Sequence, residues 1–301
     1  LVFNMVDGFD ITAMAVTAHQ IGEDMQLSED MLGLVFSFSL AGMMLGAMFL
    51  AALSDVIGRR TMIIITLTLV GATVLLTASV NSLPALILLR FISGLGAGAM
   101  LASVATLASE YSPEKFRAMA VTAGYPLGAM TTGLVASSVV PEFGWQGMFI
   151  AGGSATLLLA LIAFFMIPES LYFLCKKQPD DALQRVNRIL QIFKVQSLQH
   201  LPSIEDTGGA TEADRQNIYQ KMLTLLTPEF RRSTLTLWAT FFLCISTLYF
   251  LMSWTPKLII NLGYSPDAGN LAFTLFNFGG VLGIFILGYV ASKWSLSTLI
   301  S

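Results

Sequence analysis

The chain has 301 residues, a formal net charge of −3, 55% hydrophobic and 12% charged side chains, and a mean hydropathy of +0.73. Soluble domains carry about a quarter charged residues, so this composition excludes an ordinary soluble protein and leaves no basic excess for a nucleic-acid partner. Cys175, Cys244, His19 and His200 are isolated, which gives neither a disulfide framework nor a metal-ligand spacing.

Apolar runs of about 20 residues, enough to cross ~30 Å of hydrocarbon, fall at about 1–18, 32–53, 61–80, 84–108, 118–140, 146–167, 234–256 and 269–291. They predict eight transmembrane helices, with a hydrophilic stretch from Pro168 to Arg232 separating six from two. Fourteen of the sixteen Lys and Arg residues, all but Arg90 and Lys257, fall in loops on one side. By the positive-inside rule that side is cytoplasmic, and the acidic loop 20–31 lies opposite. The chain opens at Leu1 and closes at Ser301 just after the eighth run, so it reads as a fragment; no basic n-region marks a secretory signal.

The first run contains "NMVDGFDITAM", with Asp7 and Asp10 inside otherwise apolar helix. An Asp at the centre of a spanning helix costs about 2.5–3.5 kcal/mol on insertion scales, so two of them need a polar cavity or a task. Three residues apart, they share a helix face, and Gly8 between them admits close approach. Either that face looks into a bundle interior, or the acids sit hydrated near the cytoplasmic interface.

The loop after the second run reads "AALSDVIGRR", residues 51–60. Asp55 is placed to accept from a helix N-terminus, Gly58 to make the tight turn, and Arg59 and Arg60 to bind acids. Arg90 lies several residues inside the fourth run. It is a candidate to bind a carboxylate bidentately or to pair with an Asp of the first helix; the alternative is an arginine that snorkels to the interface. Gly94, Gly96 and Gly98 follow it as a small-residue face for helix contact.

Glu110 and Arg117 bracket the loop "EYSPEKFR", on the same side as Arg59 and Arg60, and make a charge network between loops geometrically plausible. The fifth run, "TAGYPLGAMTTG", places Gly124, Pro126, Gly128 and Gly133 in one helix, which predicts either a kink that gates or close packing. In the long hydrophilic stretch "DDALQRVNRILQIF" has amphipathic helical spacing, and "PSIEDTGGATEADRQ" reads as a linker.

The residues Asp55, Gly58, Arg59 and Arg60 resemble the loop signature of the major facilitator superfamily, with Ala51 where that family usually has Gly and Val56 where it usually has a basic residue. "PESLYFL", residues 168–174, resembles the sequence after the sixth helix in several of its branches, and "GYVASK", Gly288 to Lys293, looks like a degenerate second copy of the loop signature. "DGFD" resembles the D-G-x-D signature of the aromatic acid:proton symporters, and its combination with "RFISGLGAG", "GYPLG" and "PESLYFL" carries that resemblance through most of the chain.

The resemblance implies an all-α integral membrane fold with eight of an expected twelve helices. It divides the chain into an N-terminal six-helix half at 1–167, a cytoplasmic central loop at 168–233 and the first helices of the C-terminal half at 234–301. It implies proton-coupled uptake of an aromatic carboxylate across a bacterial cytoplasmic membrane by a monomer. The partners are a small organic anion, protons and the lipid bilayer, with no cofactor beyond the coupling proton. Asp7, Gly8, Asp10 and Arg90 become the coupling residues; Tyr125, Tyr249, Trp254 and Asn277 become cavity candidates; Asp55, Gly58, Arg59, Arg60, Glu110 and Arg117 become the cytoplasmic gate. The alternatives are a carrier of sugars or non-aromatic organic acids and a transporter-like sensor that only binds. An enzyme is not expected, and the 301 residues alone are expected not to transport.

Overall fold

The structure, a computed structural model, describes residues 2–112, 121–194, 196–202, 225, 227, 228 and 230–291. Arg117, most of the linker from 202 to 216, and the end of "GYVASK" lie outside the described residues. The described elements are helices: α1 (Val2–Asp24), α2 (Glu29–Leu45), α3 (Ala51–Ile57), α4 (Arg59–Thr77), α5 (Leu83–Tyr111), α6 (Gly124–Met166), α7 (Leu171–Lys177), α8 (Ala182–Ile192), α9 (Arg231–Asn261) and α10 (Pro266–Ala291). Among them, Glu29–Ile57, α4, α5, α6, α9 and Pro266–Ile286 are long and apolar enough to cross a membrane.

Two compact units divide the chain. The first takes in Leu1–Ser170 and Met252–Ser301; the second is Leu171–Leu251. In the second, α8 buries Ala182, Val186 and Ile189 on one face and leaves Ile192 exposed, the amphipathic helix that the spacing predicts.

Helix ends differ from the sequence reading in instructive ways. α1 runs to Asp24, past the polar loop expected from residue 20, because its last turn finds partners: His19 lies 3.4 Å from Glu23, and the Trp145 indole donates to Asp24 at 2.8 Å. Gln26, at φ 53, then turns the chain, and Ser28 caps α2. The five residues between the fifth and sixth apolar runs, "PEFGW" at 141–145, are mostly helical too. Helical geometry passes through Pro141 and fails only at Gly144 (φ 65, ψ −175), which divides α6 into two arms. Its 43 residues would otherwise extend about 65 Å at ~1.5 Å per residue.

In lipid there is little hydrophobic drive between helices, so close packing through small residues holds them. The first unit does this repeatedly. A Cβ on Gly42 or Gly46 of the α2 segment would strike the carbonyls of Phe91 or Leu95; one on Gly94 or Gly98 of α5 would strike those of Ser39 or Met43. The two helices thus meet through facing pairs of glycines four residues apart, a single seam. Gly96, two residues from each of its α5 partners, points away toward Val70 and Thr66 of α4, since alternate positions on a helix lie on opposite sides. The small-residue run therefore serves two neighbours rather than one.

α1 uses the same device. Gly8 lies against the Tyr125 carbonyl and Gly128 against that of Met5, while the Thr12 and Thr132 hydroxyls bond at 2.8 Å. Pro126 occupies the first turn of α6, just after a bend at Ala123, so the bend and the close packing both occur there. Gly133 continues the arm against Asn270 and Thr274 of α10.

The seam makes an ordering testable. At Gly98 an added methyl meets the Met43 backbone, whereas at Gly96 the nearest atom is a Val70 side-chain methyl at 2.6 Å. Overpacking costs about 1–3 kcal/mol, and backbone yields less readily than a side chain. Gly98→Ala is expected to lower the thermal midpoint in detergent by several degrees, and Gly96→Ala by clearly less. Equal shifts would contradict the seam.

Candidate functional site

Asp7, Asp10 and Arg90 line one small cavity of about 10 Å³, together with Ile11, Ser39, Val70, Val74, Ser93, Gly94 and Ala97. All three charged side chains are buried, at 1%, 3% and 2% exposure. That removes the hydrated-interface and snorkelling alternatives for them. The space is about the size of one water, so in this conformation the cavity brings the three charges together without room for an organic anion.

Each charge is held differently. The Arg90 Nη2 donates to Thr77 Oγ1 at 2.8 Å, its guanidinium lies 5.1 Å from the Phe149 ring centroid, and its Nε has no hydrogen-bond partner. Thr77 in turn donates to the Thr73 carbonyl at 2.8 Å, which leaves its lone pairs for the arginine. Asp10 Oδ2 accepts from Thr156 Oγ1 at 2.6 Å, while Oδ1 has no partner and faces Gly152, where a Cβ would come within 2.7 Å. Neither oxygen of Asp7 has a partner, and no ion pair joins Arg90 to either acid. The cavity therefore contains two acids and a cation with bonding capacity to spare, the arrangement that a small anion and a proton would complete.

The four aromatic and amide candidates lie elsewhere. Trp254 packs edge-on against Phe36 at 5.7 Å. Asn277 is buried and donates to the Phe273 carbonyl of its own helix at 2.9 Å. Tyr125 packs beside Gly8 and into the cluster around Phe273, and Tyr249 belongs to the second unit. None of the first three lines the cavity.

A second cluster forms where α3, α4, α5 and the end of α6 meet. Gly58 sits at φ 99, a conformation that favours glycine, and breaks α3 from α4. Arg59 then pairs with Glu110 and lies 3.6 Å from Asp55. Ser170 Oγ donates to Glu110 at 2.7 Å. Glu169 accepts from the Arg60 amide at 3.1 Å and the Ser170 amide at 2.9 Å, and the Tyr111 hydroxyl donates to its carbonyl at 2.7 Å. Asp55 is exposed and reaches Arg59 instead of a neighbouring helix N-terminus. Charge-assisted hydrogen bonds contribute about 1.5–3 kcal/mol each, so Glu110→Gln, which loses the charge and keeps the shape, is expected to lower the detergent thermal midpoint by about 3–12 °C at the ~2–4 °C per kcal/mol typical of domains somewhat smaller than this chain. An unchanged midpoint would mean that solvent already screens the pair.

The other loop end has its own contact. Lys257 and Asn261, one turn apart on α9, both approach Glu29 Oε1, at 3.7 and 2.8 Å, with Lys257 Nζ 5.9 Å from the Trp254 ring. Pro256 directly precedes this pair inside α9.

The Major Facilitator Superfamily sequence model matches residues 1–301. The chain belongs to the Major Facilitator Superfamily. It is an integral membrane protein, as that membership and its apolar helices imply. It is 32% identical over 299 residues to the 4-hydroxybenzoate transporter PcaK of Acinetobacter baylyi, covering 98% of this chain and 65% of that one. It is 29% identical over 300 residues to the benzoate transport protein of the same species, covering 96% and 62%. The chain thus spans slightly less than two thirds of the length of these relatives. Its fold resembles the solved proton:xylose symporter XylE of Escherichia coli, with a TM-score of 0.74 at 17% identity, over 97% of this chain and 68% of that one.

Among superfamily features, the loop signature and its Arg59–Glu110 contact are readable from the sequence. Thr77, Phe149 and Thr156 are not singled out by it, and Glu169 and Ser170 enter only as part of "PESLYFL". A signal for Thr156 exists in hindsight: Gly152 and Thr156 repeat the Gly-x-x-x-Thr spacing of Gly8–Thr12 and Gly128–Thr132.

Proposed function

We propose that the protein is a proton-coupled carrier that takes up an aromatic carboxylate, of the benzoate, hydroxybenzoate or phenylpropionate kind, by alternating access. The observation that carries this reading is the burial of Asp7, Asp10 and Arg90 around one cavity. The names of the similar proteins, transporters of 4-hydroxybenzoate and of benzoate, support the substrate class. Arg90 holds the carboxylate through its spare N–H groups, and Asp7 and Asp10 hold the proton. Burying an uncompensated charge is costly, so anion and proton each favour the state in which the other is bound, and the favourable state is the doubly loaded one.

In this reading the chain makes eight passes: α1, the joined α2–α3 segment, α4, α5, the two arms of α6, α9 and α10. They are eight of twelve, in a bacterial cytoplasmic membrane, with the Arg59–Glu110 cluster and the stretch 168–233 on the cytoplasmic side. The halves are 1–167 and 234 onward, and the carrier works as a monomer with the proton as its coupling ion and no other cofactor.

The test is uptake of radiolabelled 4-hydroxybenzoate and benzoate into cells expressing the full twelve-helix carrier that contains this chain, as in every uptake experiment below, with and without a protonophore and with unlabelled hexose as competitor. Saturable uptake that collapses with the protonophore and ignores hexose is the expected result. Binding without flux would make the protein a sensor. Hexose competition would move the substrate to sugars.

A further inference from the structure

We infer that Thr156 is a positioning residue for proton loading, one whose hydroxyl keeps Asp10 hydrogen-bonded in both of its protonation states. The inference rests on the reading of Asp10 as a proton site.

The geometry is specific. Thr156 Oγ1 lies 2.6 Å from Asp10 Oδ2 and 2.9 Å from the Gly152 carbonyl, one turn back on its own helix. A hydroxyl has one hydrogen and two lone pairs, and it rotates to suit its neighbours. With Asp10 ionised, the hydrogen points to Oδ2, and 2.6 Å is the length of a charge-assisted O–H···O⁻ bond. With Asp10 protonated, the acid donates to Oγ1 and the threonine hydrogen turns to the Gly152 carbonyl. No heavy atom moves between the two arrangements. The proton added to Asp10 is accommodated by a rotation about one bond, and the carboxyl stays where Arg90 and the cavity need it.

The surroundings leave this task to Thr156. Asp10 Oδ1 has no partner. The charged groups that face Asp10 are Asp7 on its own helix and Arg90 on α5. Glu142 of α6, Glu29 and Asp30 of α2 and Asp267 of α10 are exposed, and Tyr125 of α6 packs beside Gly8. Asp7, which no hydroxyl contacts, lacks any such device.

The experiment compares wild type, Thr156→Val, Thr156→Ser and Asp10→Asn for the pH dependence of 4-hydroxybenzoate uptake, and for counterflow into preloaded vesicles at fixed pH. Valine matches the shape of threonine without the hydroxyl. A charge-assisted bond exceeds a neutral one, so its loss disfavours the ionised acid more, and the uptake midpoint should move about one pH unit to the alkaline side. That is a tenfold change in proton affinity. Thr156→Ser should restore the wild-type midpoint, and counterflow, which needs no net proton movement, should persist in both. If Thr156→Val lacks counterflow, the infrared C=O band of protonated Asp10 in Thr156→Ser and wild type replaces it, and the band must show a hydrogen-bonded acid. A wild-type midpoint in Thr156→Val, or a free-acid band, overturns the inference. If instead Asp10→Asn retains protonophore-sensitive uptake with a wild-type profile, the underlying reading of Asp10 fails.

Discussion

Arg90→Gln is expected to reduce 4-hydroxybenzoate uptake by about a hundredfold at equal expression, and Arg90→Lys by at least tenfold. The guanidinium is buried, donates to Thr77 and lies over the Phe149 ring while its Nε–H has no partner. Removing one member of a buried charge group costs about 3–5 kcal/mol; glutamine would leave two buried acids without a cation and an arriving carboxylate without a partner. Lysine keeps the charge, but a compact ammonium cannot stack and fork at once. Initial rates in cells, with protein quantified by blot, decide the matter. Uptake above half of wild type in Arg90→Gln would dismiss it as the anion contact.

Asp10→Asn and Asp7→Asn are expected to lose concentrative uptake, by tenfold or more, and to lose sensitivity to a protonophore. Asparagine has nearly the size of aspartate and keeps an oxygen for Thr156, yet it cannot exchange a proton. The Asp10 variant should therefore still equilibrate labelled substrate across the membrane while failing to accumulate it. Accumulation of substrate by both variants, abolished by protonophore as in wild type, would make the acids structural.

The core of the site was legible because charge in hydrocarbon is expensive. Asp7, Asp10 and Arg90 stand out in apolar runs, and a common cavity is the cheapest place for them. The Arg59–Glu110 contact was legible from topology, since loops on one side of a membrane are neighbours. What was not legible lacks such a penalty. Thr156 looks like Thr66, whose hydroxyl bonds the Met62 and Ile63 carbonyls of its own helix; a hydroxyl one turn from a carbonyl is satisfied wherever its helix faces. Trp254 and Asn277 suit a binding cavity by residue type, but type does not say which way a helix is turned, and the structure turns them to Phe36 and the Phe273 carbonyl. The early end drawn for the first helix failed because hydropathy registers polar residues, whereas the backbone continues as long as Asp24 finds Trp145.

Between the glycine seam and the loop signature lies a π turn, Gly46–Leu50. A wide turn of this kind adds one residue to a helix without adding length in proportion, and each residue of an α-helix advances the phase by about 100°. The π turn thus sets the angular offset between two faces: Gly42 and Gly46, fixed against α5, and Asp55 and Gly58, aimed at the ion cluster. Winding the same residues as regular helix would swing the signature about 100° out of line, whereas deleting one residue from the wide turn would leave a regular helix with the signature near its present heading. The wide turn thus absorbs one residue, so that deletion, like apolar exchanges at Met48 or Phe49, both exposed, should be silent where deleting one residue between Ala51 and Ser54 is not.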